Sequence, residues 1–206
     1  MIISQWSRCM NTKEKILNAA LSLFAEKGYD GTSVEQIAEL VGIKAPSLYK
    51  HFKGKEDILN ALIDIAEERY EENFGSEKHI GKIPDSLEEF IQMSLKRTAF
   101  KINDPMIRMI RIFLVKEQFR NEKTALINTG HQIDGPKKLY AKIIGRMMEK
   151  GLFRKGDVET MAMEFISPVS LLIAKADRQE ECKKEIMEMI ERHLRHLCDL
   201  YGDDSR

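Results

Sequence analysis

Cysteine is scarce in this chain. Cys9, Cys182 and Cys198 are its only three, widely spaced, and no Cys-x-x-Cys occurs, which suits reduced thiols rather than a disulfide framework. Long apolar runs are missing too. No stretch reaches the roughly 18 apolar residues of a membrane span, and the nearest, Met106 to Val115, is broken by Arg108 and Arg111. Met1-Ile2-Ile3 runs at once into Ser4, Gln5, Trp6 and Arg8, not the pattern of a secretory signal, so a cytoplasmic location is expected. Charge of one sign does not dominate: 33 Lys and Arg stand against 33 Asp and Glu. That balance excludes nucleic-acid binding by bulk positive charge; any such field must be local. The chain lacks strand-like alternation, internal repeats and low-complexity tracts. It also lacks G-x-S-x-G, H-E-x-x-H, a phosphate loop and distinctively paired carboxylates, so no enzyme activity or cofactor is expected. His193 and His196 are three apart on one expected helix, but with no clear third ligand no metal is expected either.

What the sequence does carry is helical patterning. Apolar residues make up 43% and charged residues 32%, enough to bury a core and unlike a disordered chain. The stretch from Thr32 to Ile58 organises the rest. Thr32 with Glu35 three residues on reads as a capping box. Val34, Ile37, Ala38 and Val41 then form one buried face, and Gly42 follows where a left-handed backbone ends a helix. Ile43 plugs the turn. Pro46 suits the first position of a second helix, about Pro46 to Phe52, too short to stand alone and held by Leu48 and Phe52. Two short helices around a glycine turn predict a helix-turn-helix whose second helix enters the DNA major groove.

The chemistry of that second helix agrees. Lys44, Lys50, Lys53 and Lys55 are cationic, and no Asp or Glu occurs between Glu39 and Glu56. Ser47, Tyr49, Lys50 and His51 add hydrogen-bonding groups suited to phosphate and base edges. The plain alternative is a solvated helical hairpin with ordinary lysines.

Along the chain, residues 1–10 show no periodicity and read as a tail. A first helix starts near Asn11 or Thr12, carries Ile16, Leu17, Ala20, Leu21 and Phe24, and ends at Gly28. A long fourth helix runs from about Gly54 to Phe74, with Glu56 and Asp57 in its first turn. Gly75 to Pro84 is polar and breaker-rich, the expected boundary. Asp85, with Glu88 three on, is expected to cap a fifth helix to about Ile102. Asp104-Pro105 opens a sixth, to about Arg120, apolar nearly all round and so expected to be buried. A seventh, about Glu122 to Lys150, is interrupted near Gly135-Pro136. Asp157 opens an eighth, bent by Pro168, and a ninth runs from about Gln179 to Tyr201. The fold expected is all-α with about nine helices. Its parts are a tail (1–10), a helix-turn-helix head (11–53), a linking helix (54–74) and a helical remainder (84–206).

The apolar stripes of the last two helices serve either their own core or a two-fold partner, since paired reading helices need a dimer. The candidate interface residues are Phe165, Val169, Leu172, Ile173, Ile186, Ile190, His193 and Leu197. The middle helices are rich in Met and Phe, which pack a core or line an adaptable cavity.

A-P-S-L-Y-K-H-F-K-G-K-E-D-I-L, with the upstream A-L-S-L-F-A-E-K-G-Y-D-G-T-S-V-E-Q-I-A, resembles the DNA-binding signature of the tetracycline-repressor (TetR) family. The resemblance covers about Lys13 to Leu62. It implies that Thr32, Ser33, Tyr49, His51 and Lys55 hold phosphates, and that Lys44, Ala45, Pro46, Ser47 and Lys50 face base edges or sugars. Pro46 stands where Gly is frequent, which bears on the bases read. The resemblance further implies a homodimer formed through the last two helices, and a pocket for an unknown small-molecule effector, here assigned to Phe100, Ile110, Phe113, Met147 and Phe165. Arg108 or Arg111 would face an acidic ligand group, solvated arginines being the simpler reading. The function implied is a ligand-responsive regulator released from operator DNA, with no membrane partner. The alternatives are an activator, or a helical ligand-binding module without DNA binding.

Overall fold

The computed structural model describes residues 11–74, with Phe74 in backbone only, and 82–203. The expected tail (1–10) and most of the expected boundary, residues 75–81, lie outside the described residues. The architecture is all-α: α1 (Thr12–Lys27), α2 (Val34–Val41), α3 (Ala45–Leu48), α4 (Lys55–Phe74), α5 (Leu87–Asn103), α6 (Pro105–Glu117), α7 (Glu122–Thr129), α8 (Gly135–Glu149), α9 (Val158–Arg178) and α10 (Lys183–Tyr201). A π-helical turn, Gly130–Asp134, joins α7 to α8 without a break, so the described residues form nine continuous helices. Phe153 and Gly202 make an isolated antiparallel bridge.

Two compact units emerge. The first takes the chain up to Arg69 and again over Met109–Ala125; the second takes Tyr70–Arg108 and Leu126–Arg206. In the first, Ile16, Leu17, Leu21 and Phe24 of α1, Ile37 and Ala38 of α2, and Ile58, Leu59 and Leu62 of α4 are all buried, with α1 packed on α2. The returning segment adds Phe113, whose ring stacks on Phe24 at 5.4 Å. The second unit centres on Phe90 of α5, with Tyr140, Phe153 and Phe165 edge-on to it at 5.9, 5.5 and 5.0 Å. Ile143, Ile144, Met147, Ile186, Ile190 and Leu194 of α8 and α10 complete that core.

Helix starts follow local capping, with two corrections of one residue. The N-cap of α2 is Ser33, whose hydroxyl accepts from Gln36 N–H while Gln36 caps Ser33 in return. Thr32 does not cap, because its Oγ1 donates to Gly28 O at 2.8 Å inside the preceding turn. Likewise Ser86, not Asp85, caps α5, since Asp85 N–H is itself held by Glu89 Oε2 at 2.9 Å. In α3, Lys44 is the N-cap, Ala45 the first residue and Pro46 the second. α6 is not buried all round: only Ile110, Phe113, Leu114 and Glu117 lie inside, and Val115 is exposed.

Both helix-interior prolines are accommodated the same way. Proline removes the N–H that would reach the carbonyl four residues back. For Pro168 that carbonyl is Glu164 O, and His193 Nε2 of α10 lies 3.1 Å from it. A carbonyl only accepts, so the proton sits on Nε2. For Pro136 it is Gln132 O, which accepts from Ser170 Oγ at 3.3 Å. The expected interruption at Gly135-Pro136 is thus a widened turn within one helix.

Candidate nucleic-acid interface and cavity

The geometry of the short third helix starts at Gly42. Its φ of 78° closes α2 in the left-handed region, and its N–H bonds Ala38 O and Glu39 O. A side chain here costs roughly 1–2 kcal/mol of backbone strain. Two residues later the chain enters α3, whose first amides, Ser47 and Leu48, bond Lys44 O. Four residues cannot hold a helix by themselves. Leu48 and Phe52, 0% and 3% exposed, anchor it, each burial stabilising by about 1.5–3 kcal/mol.

That anchoring leaves the other side of α3 and its exit in water. Lys44, Pro46, Tyr49, Lys50 and His51 are exposed, and Ser33, Ala45 and Ser47 are half-buried. Lys53 is exposed beside them, with its main-chain N–H donating to Asp57 Oδ2 at 2.9 Å. The result is a cationic edge with phenol, imidazole and hydroxyl groups interleaved, the set that docks on a phosphate backbone and reads groove edges.

Two residues expected to hold phosphates are engaged otherwise. Thr32 is only 2% exposed, with its hydroxyl on Gly28 O. Lys55 Nζ donates to Tyr29 O at 2.7 Å and to Thr32 O at 3.1 Å, 4.4 Å above the Tyr29 ring. Together they close the α1–α2 loop and tie it to the start of α4.

The five expected effector residues are divided between the two units. Ile110 and Phe113 belong to the first unit, Met147 is in the second unit's core, and Phe100 packs its ring 6.3 Å from Tyr70. Of the five, Phe165 lines a small, partly open cavity of about 40 Å³ in the second unit. Arg108 is also accounted for: its Nη2 donates to Asp177 O at 3.0 Å, its Nε lies 3.4 Å from Asp177 Oδ1, and it pairs with Glu180. The cavity's polar wall is made instead by Tyr70, Arg97, Lys101 and Tyr140, which pattern reading missed.

The expected interface residues divide as well. Phe165, Ile173, Ile186 and Ile190 are buried within the protomer, and Val169 and Leu172 are half-buried against its core, because one stripe on each helix faces inward. The outer faces of α9 and α10 form an open groove lined by Met163, Pro168, His193, Leu197 and Leu200, and Leu171 on α9 is 71% exposed. Tyr201 OH donates to Glu164 across the two helices. Among the described residues, no group of three or more His, Cys, Asp or Glu side chains is placed to hold a metal, and no helix is long and apolar enough to cross a membrane.

Comparison with known proteins points to the same region. Residues 16–62 match the family model described as bacterial regulatory proteins, tetR family. The chain is 30% identical to the biofilm operon icaADBC HTH-type negative transcriptional regulator IcaR of Staphylococcus epidermidis, over 53% of this chain and 76% of that regulator. It is 32% identical to IcaR of Staphylococcus aureus strain Newman, over 64% of this chain and 61% of that regulator. Among solved structures, the fold is similar to SmeT, the repressor of the Stenotrophomonas maltophilia multidrug efflux pump SmeDEF, with a TM-score of 0.70 at 19% identity over 95% of this chain and 93% of that one. It is also similar to the repressor MexZ of Pseudomonas aeruginosa, with a TM-score of 0.71 at 18% identity over 94% and 96% of the two chains.

Proposed function

Because this chain belongs to the TetR family of bacterial regulatory proteins, we propose that it is a transcriptional repressor that reads operator DNA as a dimer and leaves it when a small molecule binds. The observation that carries this reading is α3 itself. Leu48 and Phe52 are buried, so the helix is held from behind. Its free side and exit offer Lys44, Pro46, Tyr49, Lys50 and His51 to solvent, with no acidic residue between Glu39 and Glu56. Ser33, Tyr49 and His51 contact phosphates, while Lys44, Ala45, Pro46, Ser47 and Lys50 lie against base edges or sugars. Thr32 and Lys55 act by holding the head's shape.

One α3 covers one half-site. Two must enter major grooves about 34–36 Å apart, so the reading requires a second copy. The outer faces of α9 and α10 are the surface proposed for it, with Leu171 and Leu200 exposed there and self-complementarity about a two-fold axis. A structure of SmeT is of a complex with triclosan, and a pocket for an effector of its own is proposed in the second unit. By linkage, an effector that weakens DNA binding is itself weakened by DNA by the same factor, a coupling of roughly 1–3 kcal/mol or 5–150-fold. α4, α6 and α7 each run from one unit into the other and are the elements proposed to carry it.

The test is a gel-shift titration on duplexes selected from a random pool. Wild-type protein forms a discrete complex, and the Tyr49→Ala, Lys50→Ala double variant, still folded and dimeric, does not. Unchanged affinity in that variant removes α3 as the reading element.

A further inference from the structure

The cationic edge of the head draws on more than its two short helices. Lys13, in the first turn of α1, is exposed, and its ammonium lies 5.7 Å from the centroid of the Phe52 ring. Phe52 is 3% exposed and anchors the exit of α3. Its chain neighbours His51 and Lys53 are both exposed. An aromatic face attracts a cation, so the long Lys13 stem is held beside that exit. The first helix thereby adds a charge to an edge that sequence pattern draws only from Lys44 onward. That charge has no counter-ion. Among the described residues the Phe52 ring is the one partner of the Lys13 ammonium, and residues 1–10 contain no Asp or Glu. Carboxylates at the starts of α1 and α4 are engaged elsewhere. Glu14 Oε2 accepts from Asn11 N–H at 2.9 Å, Asp57 Oδ2 accepts from Lys53 N–H at 2.9 Å, and Glu56 pairs with Lys123 at 2.6 Å.

We propose that Lys13 contacts a phosphate of the DNA backbone, carrying each protomer's footprint beyond the helix-turn-helix to the first turn of α1, with Phe52 as the residue that positions it. This rests on the repressor reading above and adds a contact to it. A phosphate supplies the missing counter-charge, and such a contact carries affinity and register without sequence preference. The competing role is a brace, in which the ammonium serves only to hold α1 against Phe52. The two roles differ in salt dependence. A phosphate contact releases counterions from the duplex when it forms, and a contact inside the protein does not.

The experiment is fluorescence anisotropy on the full chain, with a duplex selected from a random pool and a scrambled one, at salt from about 50 to 200 mM. Lys13→Met keeps the stem over the ring and removes the charge. It lowers the slope of log K against log salt by about 0.9 per protomer, or about 1.8 for a dimer on one operator, and weakens both duplexes by the same factor. Lys13→Arg keeps the wild-type slope. Lys15 is exposed too, but lies roughly 200° around α1 from Lys13. Lys15→Met makes the same charge change there and leaves the slope at the wild-type value. The proposal is overturned if Lys13→Met keeps the wild-type slope, if Lys15→Met lowers it equally, or if Lys13→Met weakens only the selected duplex. A lower denaturant midpoint in Lys13→Met with the slope unchanged assigns the residue to the brace. Wild-type protein that retains no duplex removes the repressor reading and this inference with it, whereas normal wild-type binding beside an unchanged Lys13→Met slope removes this inference alone.

Discussion

The ammonium of Lys55, at the first turn of α4, donates to the main-chain oxygen of Tyr29 at 2.7 Å and covers the face of the same residue's ring. A lysine in an acid-free stretch of a DNA-reading head invites assignment to a phosphate. Here it closes the head on itself, and its second bond, to Thr32 O at 3.1 Å, fixes the approach to α2. Position and charge alone do not separate the two roles; the direction of the side chain does.

Lys55→Met therefore acts through stability. It is expected to cost about 1–3 kcal/mol, the range for hydrogen bonds to a charged group in partly buried surroundings, read from a denaturant midpoint. DNA affinity falls with it, but the slope of log K against log salt stays at the wild-type value. A slope reduced by about one would mark a lost phosphate contact instead.

Lys50→Ala is expected to behave the other way. Lys50 is exposed at the end of α3, so stability changes by less than about 0.5 kcal/mol. Discrimination between selected and scrambled duplexes falls, as measured by competition anisotropy. Tyr49→Ala, at a position 52% exposed, leaves folding intact while affinity falls on all duplexes alike, as measured by fluorescence anisotropy.

Leu171→Glu and Leu200→Glu test the interface without entering the core, since both side chains are already exposed in the protomer, 71% and 51%. Each is expected to yield a folded monomer by light scattering, with helical circular dichroism unchanged. Leu197→Glu is a poorer probe, because Leu197 is only 7% exposed and its loss unfolds the second unit as well.

Asp85 sets an acid-side prediction. Hydrogen bonds from Lys150 and Lys82 hold its carboxyl down at about 2 from an ordinary 3.8. The folded state thus keeps the charge to lower pH than the unfolded chain does. The contribution is present above about pH 4 and is lost as pH falls toward 2. Asp85→Asn is expected to flatten the thermal midpoint between pH 4 and pH 2.5 relative to wild type. Added salt shrinks the difference, because the pair is exposed.

Legibility in the sequence followed how local each determinant is. Gly28 and Gly42 end their helices where the pattern places them, because a left-handed turn is set by one residue. At both starts two neighbouring residues compete for the cap: Thr32 and Ser33 at α2, and Asp85 and Ser86 at α5. Competing local bonds mark the outcome: Thr32 Oγ1 donates to Gly28 O, and Asp85 N–H donates to Glu89 Oε2. Arg97 and Lys101 sit four apart on α5, a spacing that reads as a solvated face. Only Tyr70, Tyr140 and α9, distant in the chain, convert it into a cavity wall. Phe113 and Ile110 belong to the first unit because the chain re-enters it at Met109, and no periodicity records that return.

The central claim is that α3 reads DNA, twice per molecule. Selection of duplexes from a random pool by the wild-type protein, with sequencing of what is retained, tests it most directly. The account predicts enrichment of a two-fold symmetric sequence whose half-sites are separated by one helical turn or a small multiple of it, and loss of that enrichment in the Tyr49→Ala, Lys50→Ala variant. An unenriched pool, a single asymmetric site, or the same sequence retained by the variant would contradict it.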